Sequence, residues 1–95
     1  MSNISFYVVS YDIHDDRTRI KVCDLMKNFG EHVQFSVFEC YLSPDRLERM
    51  NEGLTKLINK QEDSIRIYQL CASCLKKAQI IGIGQITQEN QLFIV

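Results

Sequence analysis

The sequence predicts an α+β fold whose strands and helices follow one another in the order β-α-β-β-α-β. Short apolar or alternating runs are typical of strands, and two longer segments with apolar residues three and four apart are typical of helices. Turn and capping residues separate these segments. This is the order of the ferredoxin-like split βαβ fold, with an antiparallel sheet. We therefore expect one ferredoxin-like domain over all 95 residues.

The first strand is an apolar run, residues 6–11, that stops at Asp12. A short run of β-branched and aromatic residues is typical of a strand buried on both faces. A carboxylate at the end of such a strand costs free energy unless a cation meets it. From the residues alone two interpretations stay open. Asp12 either caps the loop or pairs with an arginine, or it binds a divalent metal in phosphate chemistry.

The first helix is predicted to begin at Asp15 or Asp16, either of which can cap it, and to end before Gly30 in a left-handed C-cap. Its predicted apolar face consists of Ile20, Cys23, Met26 and Phe29. It also carries basic residues, which form either a solvated face or a phosphate-binding surface: Arg17, Arg19, Lys21 and Lys27.

The next segment changes its alternation. Apolar residues occupy odd-numbered positions up to Val37 and even-numbered positions from Phe38 to Leu42. A strand that changes parity must contain a bulge or a tight turn, so we predict two short strands with the break around Ser36 and Val37.

The second helix has a clear start, with Ser43 as the cap and Pro44 at the first helical position. Its apolar face comprises Leu47, Met50, Leu54, Leu57 and Ile58. Residues 59–63 are predicted to form a loop, and residues 64–70 alternate as a half-buried strand. The apolar residues 91–95 are predicted to add a strand to a sheet edge, most simply that of a partner protomer.

Composition limits the classes of function. With 45% hydrophobic and 24% charged residues and a net charge of −1, the chain is an ordinary globular protein and not a general nucleic-acid coat. No apolar stretch reaches the roughly 18 residues that a membrane span needs, and no signal peptide is evident. We expect a cytoplasmic protein without membrane contact. A chain of this length buries only about 65% of its unfolded surface, which favours a homodimer.

Cys71 and Cys74 form a lone Cys-x-x-Cys motif. A structural zinc site needs a second pair of ligands, and His14 and His32 are far away in sequence. A thioredoxin-type pair follows a strand and opens a helix in a βαβ unit, which the sequence does not predict here. All the cysteines are therefore expected to be idle or buried thiols.

Four segments together resemble the small CRISPR-associated endonuclease family, the second of the Cas proteins, which acts beside the integrase in spacer acquisition. They are residues 7–13 (YVVSYDI), 15–19 (DDRTR), 33–40 (VQFSVFEC) and 63–68 (DSIRIY). Each piece alone is weak, but their combination is specific, and the resemblance runs nearly from end to end.

The resemblance implies a homodimer in which Asp12 of each protomer, as the catalytic residue, helps to hold Mg²⁺ or Mn²⁺ near the two-fold axis for cleavage of RNA or DNA. It also implies nucleic-acid-binding or phosphate-binding roles for Tyr11, Arg17, Arg19, Ser36 and Phe38. Many members carry an arginine at the position of His32, so we expect less positive charge near this site. His14 is either a loop residue or an acid or base. The family equally supports an adaptor dimer that bridges integrase subunits on DNA, and a toxin-like ribonuclease shares the fold type.

Overall fold

The computed structural model describes residues 3–89. Its elements are β1 (Ser5–Asp12), α1 (Asp16–Met26), β2 (Glu31–Gln34), β3 (Val37–Leu42), α2 (Pro44–Leu57), β4 (Ser64–Leu70) and α3 (Ala72–Lys76). The predicted order of strands and two long helices is confirmed, and α3 is an addition that the sequence did not predict. The predicted strand at residues 91–95 lies outside the described residues.

The strands form one antiparallel sheet in the order β2-β3-β1-β4, as the ferredoxin-like prediction requires. β1 is central, with Ser10 opposite Val37 of β3 on one side and opposite Arg66 of β4 on the other. β2 and β4 are the edges of this sheet. The central position of β1 fixes the end of that strand, and with it Asp12, between two neighbours.

The core lies between the sheet and the two long helices. Alternate residues of β1 and β3 point into it, and they pack in one cluster with residues of α1 and α2. The largest side chains with almost no exposure are Phe38, Met26, Leu42, Met50, Val9, Val22 and Cys40. The other alternate residues of β1, among them Ser10 and Asp12, lie on the opposite side of the sheet, which we call the open face.

Two predictions about α1 are wrong. Ile20 is 61% exposed, and Val22 is completely buried in its place. Residues two apart lie about 200° apart around a helix, so a helix that buries Val22 and Met26 turns Ile20 towards solvent. Gly30 does not have a positive φ. It is needed for close approach instead, because a Cβ there would lie 2.5 Å from the Cys40 Sγ.

The predicted starts and breaks of the other elements are confirmed. Asp15 caps α1 by accepting a hydrogen bond from the Thr18 N–H at 2.9 Å, and Ser43 caps α2 by accepting one from the Arg46 N–H at 3.3 Å. The break between β2 and β3 falls at residues 35–36, and β2 contains an irregularity between His32 and Gln34.

Residues after α3 cross the open face on the β3 side. Thr87 donates from its N–H and hydroxyl to Glu39 Oε1 at 3.1 and 2.6 Å, and its carbonyl accepts from the Tyr41 hydroxyl at 3.0 Å. On the β4 side of the same face Ser64, Arg66 and Tyr68 are exposed, whereas Phe6 of β1 is only 3% exposed. Among the helices of residues 3–89, none is long and apolar enough to cross a membrane.

Candidate active site

Asp12 ends β1 on the open face, opposite Ser64 at the start of β4. Its side chain is exposed, and within residues 3–89 its carboxylate forms no hydrogen bond and no ion pair. The capping role belongs to Asp15. The alternative that Asp12 caps the loop or pairs with an arginine is therefore not realised here, and the carboxylate is free to bind a ligand.

A recess of about 280 Å³ surrounds this carboxylate on the open face. It is lined by Ser10, Tyr11, Asp12, Ser64, Arg66 and Tyr68. Arg66 is exposed and lies opposite Ser10 on the neighbouring strand, so one recess contains an acid and a strong cation. Sequence reasoning did not single out Arg66, although the alternation of β4 places it on the same face as Ser64.

The two arginines of α1 differ in their surroundings. Arg19 is 31% exposed, donates from Nη1 to the carbonyl oxygen of Ile13 at 3.0 Å, and pairs with the Asp16 carboxylate. Arg17 is exposed, and its guanidinium makes no hydrogen bond or ion pair within the described part of the chain. Arg19 thus stabilises the loop that follows Asp12, whereas Arg17 is available for a phosphate.

Tyr11 and Phe38 lie in the core, 4% and 0% exposed, with ring centroids 6.4 Å apart. Burial is the main reason that the pKa of Tyr11 is raised to about 12, so this phenol stays protonated. Because the two rings occupy the helix side of the sheet, they support the position of Asp12 from behind. A direct contact with nucleic acid is not open to them in this arrangement.

The hairpin turn is tied to the residue before Asp12. The Tyr11 N–H donates to the carbonyl oxygen of Ser36 at 3.0 Å. His32 stacks on Phe38, with centroids 4.5 Å apart and planes 5° apart, and its Nε2 lies 3.0 Å from the carbonyl oxygen of Phe35. His32 therefore braces the turn, and Ser36 is brought close to the end of β1.

The donors at this site fit a hard divalent cation only in part. Mg²⁺ prefers oxygen ligands and keeps several waters, so one or two carboxylates suffice. Asp12 supplies one carboxylate, and residues 3–89 contain no group of three or more acidic, histidine or cysteine side chains that could hold a metal. The carboxylate of Asp63 is already engaged, because it joins two loops by accepting from the backbone N–H groups of His14 and Asn59 at 3.3 and 3.0 Å. Completing a metal site thus needs oxygens from substrate, water or a second protomer.

Comparison with known proteins shows the family that this chain resembles. The family described as "CRISPR associated protein Cas2" matches residues 5–78. A protein of Synechocystis sp. named "CRISPR-associated endoribonuclease Cas2 3" is 42% identical over 89 residues, which cover 94% of this chain and 97% of that protein.

Solved structures give the same result. The crystal structure of a hypothetical protein, TT1823 from Thermus thermophilus, superposes with a TM-score of 0.80 at 37% identity, covering 88% of this chain and 98% of that one. A chain of a partial Cas6-RT-Cas1–Cas2 complex superposes with a TM-score of 0.71 at 31% identity, covering 81% and 90%.

Proposed function

The chain belongs to the Cas2 family of CRISPR-associated proteins, and we propose that it is an endonuclease of spacer acquisition that cleaves phosphodiester bonds at Asp12 with a divalent metal. The single observation that supports this most is the Asp12 carboxylate, exposed at the rigid end of a central strand and without a partner within residues 3–89. The relative named an endoribonuclease supports nuclease chemistry in general.

The residues of the recess have distinct tasks in this proposal. Asp12 would hold Mg²⁺ or Mn²⁺ through a carboxylate oxygen. When bound, the ion would supply neutralisation of phosphate charge and activation of an attacking water. Arg66 and Arg17 would bind non-bridging phosphate oxygens, for which a planar guanidinium is well suited. Arg19 would position the loop after Asp12, while Tyr11, Ser36 and Phe38 would hold the strand end and the hairpin turn.

The active form in this proposal is a homodimer with the two Asp12 residues near a shared axis. One chain offers one carboxylate in the recess, so a second copy supplies a second one. The edge strand β4 also leaves Ile67 37% and Tyr68 51% exposed, and its outer side pairs with no strand among residues 3–89. Residues 91–95 would pair with the partner's sheet.

A second function, an adaptor that joins integrase subunits on DNA, is favoured by one comparison. The neighbour at 31% identity was solved in a complex whose title names Cas1 together with Cas2. In this role the homodimer would bind the CRISPR-associated integrase and contact the DNA backbone without reading bases. The two functions do not exclude each other, since the recess and the rest of the surface are separate.

The Asp12→Asn variant tests the nuclease proposal. Labelled RNA and duplex DNA are incubated with wild type and variant in Mg²⁺, in Mn²⁺ and with a chelator. We expect cleavage to fall by roughly a hundredfold or more, because a metal ligand is lost. The free energy of unfolding should change by less than about 0.5 kcal/mol, because the carboxylate is exposed and unpaired.

Asp24→Asn is the matched control, since Asp24 is an exposed acid on α1 and should leave cleavage unchanged. Equal cleavage by wild type and Asp12→Asn, or cleavage that survives the chelator, would rule out the metal site. The adaptor function predicts that Asp12→Asn still supports integration when it is combined with a Cas1 partner. Loss of integration by the folded variant would contradict that second function.

A further inference from the structure

Cys71 and Cys74 are two exposed thiols that the proposed cleavage does not use. Cys71 directly follows β4, and Cys74 lies within α3. The other two cysteines differ in position, because Cys23 is half-buried and Cys40 is buried in the core. Only the first pair combines nearness in sequence with access to solvent.

The local structure supplies a context that the sequence did not predict. Cys71 follows the last residue of β4 and is the N-cap of the five-residue α3, so both thiols lie on one short exposed turn of the chain. The Leu75 N–H donates to the Cys71 carbonyl oxygen at 2.9 Å and closes the turn. Cys71 has an extended backbone, with φ −73° and ψ 167°, and Cys74 lies three residues further on within α3. A hydrogen bond joins the two side chains, so the sulfurs already face each other. A disulfide needs Cβ atoms about 3.5–4.5 Å apart, so the side chains close it by moving together from this contact.

The two thiols are chemically unequal. The Cys71 Sγ lies 3.2 Å from the Ser73 hydroxyl oxygen. Hydrogen bonds, first from the Ser73 side chain and then from Cys74, lower the pKa of Cys71 to about 7. The hydrogen bond with Cys71 raises the pKa of Cys74. Cys71 is therefore the nucleophile of the pair, and Cys74 stays protonated until a reaction partner appears.

We propose that Cys71 and Cys74 form a reversible dithiol–disulfide site that reacts with low-molecular-weight disulfides. The Cys71 thiolate attacks one sulfur of the small disulfide, forms a mixed disulfide and releases one small thiolate. Cys74 then loses its proton to solvent and attacks the Cys71 sulfur, which forms the Cys71–Cys74 disulfide and releases the second thiolate. The protein loses two electrons, and the small disulfide gains them to become two thiols.

The test uses the reduced full-length chain with oxidised glutathione at pH 7, followed by intact mass and free-thiol counting. Wild type should lose two hydrogen atoms and two free thiols without gaining glutathione. Cys74→Ser should stop at one bound glutathione. Cys71→Ser should react about threefold more slowly, because an ordinary thiol has about 16-fold less thiolate at pH 7 but is about fivefold more nucleophilic per thiolate. Cys23→Ser, the matched control, should behave like wild type.

Ser73→Ala tests whether Cys71 reacts because of its hydrogen bond with Ser73 or only because it is exposed. The variant keeps both thiols and removes the hydroxyl beside Cys71. It should slow formation of the disulfide at pH 7, and dithiothreitol should reverse the reaction in wild type. Equal rates for wild type and Cys71→Ser would overturn the assignment of the nucleophile. Wild type that accumulates only glutathione adducts, or disulfides between chains, would overturn the dithiol site itself.

Discussion

Replacing Arg17 and Arg19 separately should produce two different defects. Arg17 is exposed and unpaired within residues 3–89, so Arg17→Ala should weaken nucleic-acid binding without affecting folding. Arg19 donates to the Ile13 carbonyl and pairs with Asp16, so Arg19→Ala should destabilise the loop after Asp12. The sequence alone treats these two residues as one basic pair.

The expected magnitudes follow from these contacts. Each phosphate contact on duplex DNA contributes about 0.9 to the slope of log affinity against log salt. The two Arg17 side chains of the proposed dimer together contribute about 1.8 to this slope. That part of the slope corresponds to a roughly 12-fold loss of wild-type affinity between 50 and 200 mM salt, and Arg17→Ala should remove it. For Arg19, one hydrogen bond from a charged donor and one exposed ion pair together contribute about 2 kcal/mol to the free energy of unfolding.

Fluorescence anisotropy with labelled duplex DNA across that salt range measures the slope, and urea unfolding measures stability. Arg49→Ala is the control, because Arg49 is an exposed arginine on α2 and should change neither quantity. An unchanged slope in Arg17→Ala would show that Arg17 does not bind phosphate and is only a solvated surface residue. If Arg19→Ala kept full stability and lost slope instead, the roles assigned from the contacts would be reversed.

Gly30→Ala should destabilise the fold by about 2–3 kcal/mol in urea unfolding, because its Cβ would meet the backbone and thiol of Cys40. Gly53→Ala should be neutral or slightly stabilising, since its Cβ at 2.8 Å meets only a flexible end of Leu25 and alanine favours a helix by about 1 kcal/mol. Similar losses in both would refute the close-approach argument. Deleting residues 91–95 should shift sedimentation towards monomer and reduce cleavage together, and a fully active truncated dimer would contradict the proposed pairing.

The main strands and helices could be predicted because apolar residues repeat every second residue in the strands and every third or fourth residue in the helices. Residues 64–70 alternate, and the start of α2 has a serine cap followed by proline, so both bounds agree with the structure. α3 had no such signal, since its five residues bury no side chain and show no apolar stripe. On α1 the apolar residues surround much of the helix, so the sequence could not decide between Ile20 and Val22 as the buried position.

The candidate site could be predicted only in part. The end of a buried strand made Asp12 a candidate, because a carboxylate there is costly without a cation, and the family resemblance favoured the metal role, which stays a prediction. The sequence could not show that Tyr11 lies on the helix side of the sheet, since β1 is apolar on both faces and gives no sign of which face the helices cover. The placement of Arg66 beside Asp12 depends on the pairing of β1 with β4, which is a long-range contact.

The alternation along β1 has a consequence for how this protein can change over generations. The side chains of Tyr7 and Val9 serve the core, and those of Ser10 and Asp12 serve the recess, while Tyr11 belongs to the core cluster and also borders the recess. Mutations at the exposed Asp12 are therefore almost invisible to selection for folding. A lineage can lose the proposed cutting chemistry in a single step and still inherit an intact scaffold for assembly.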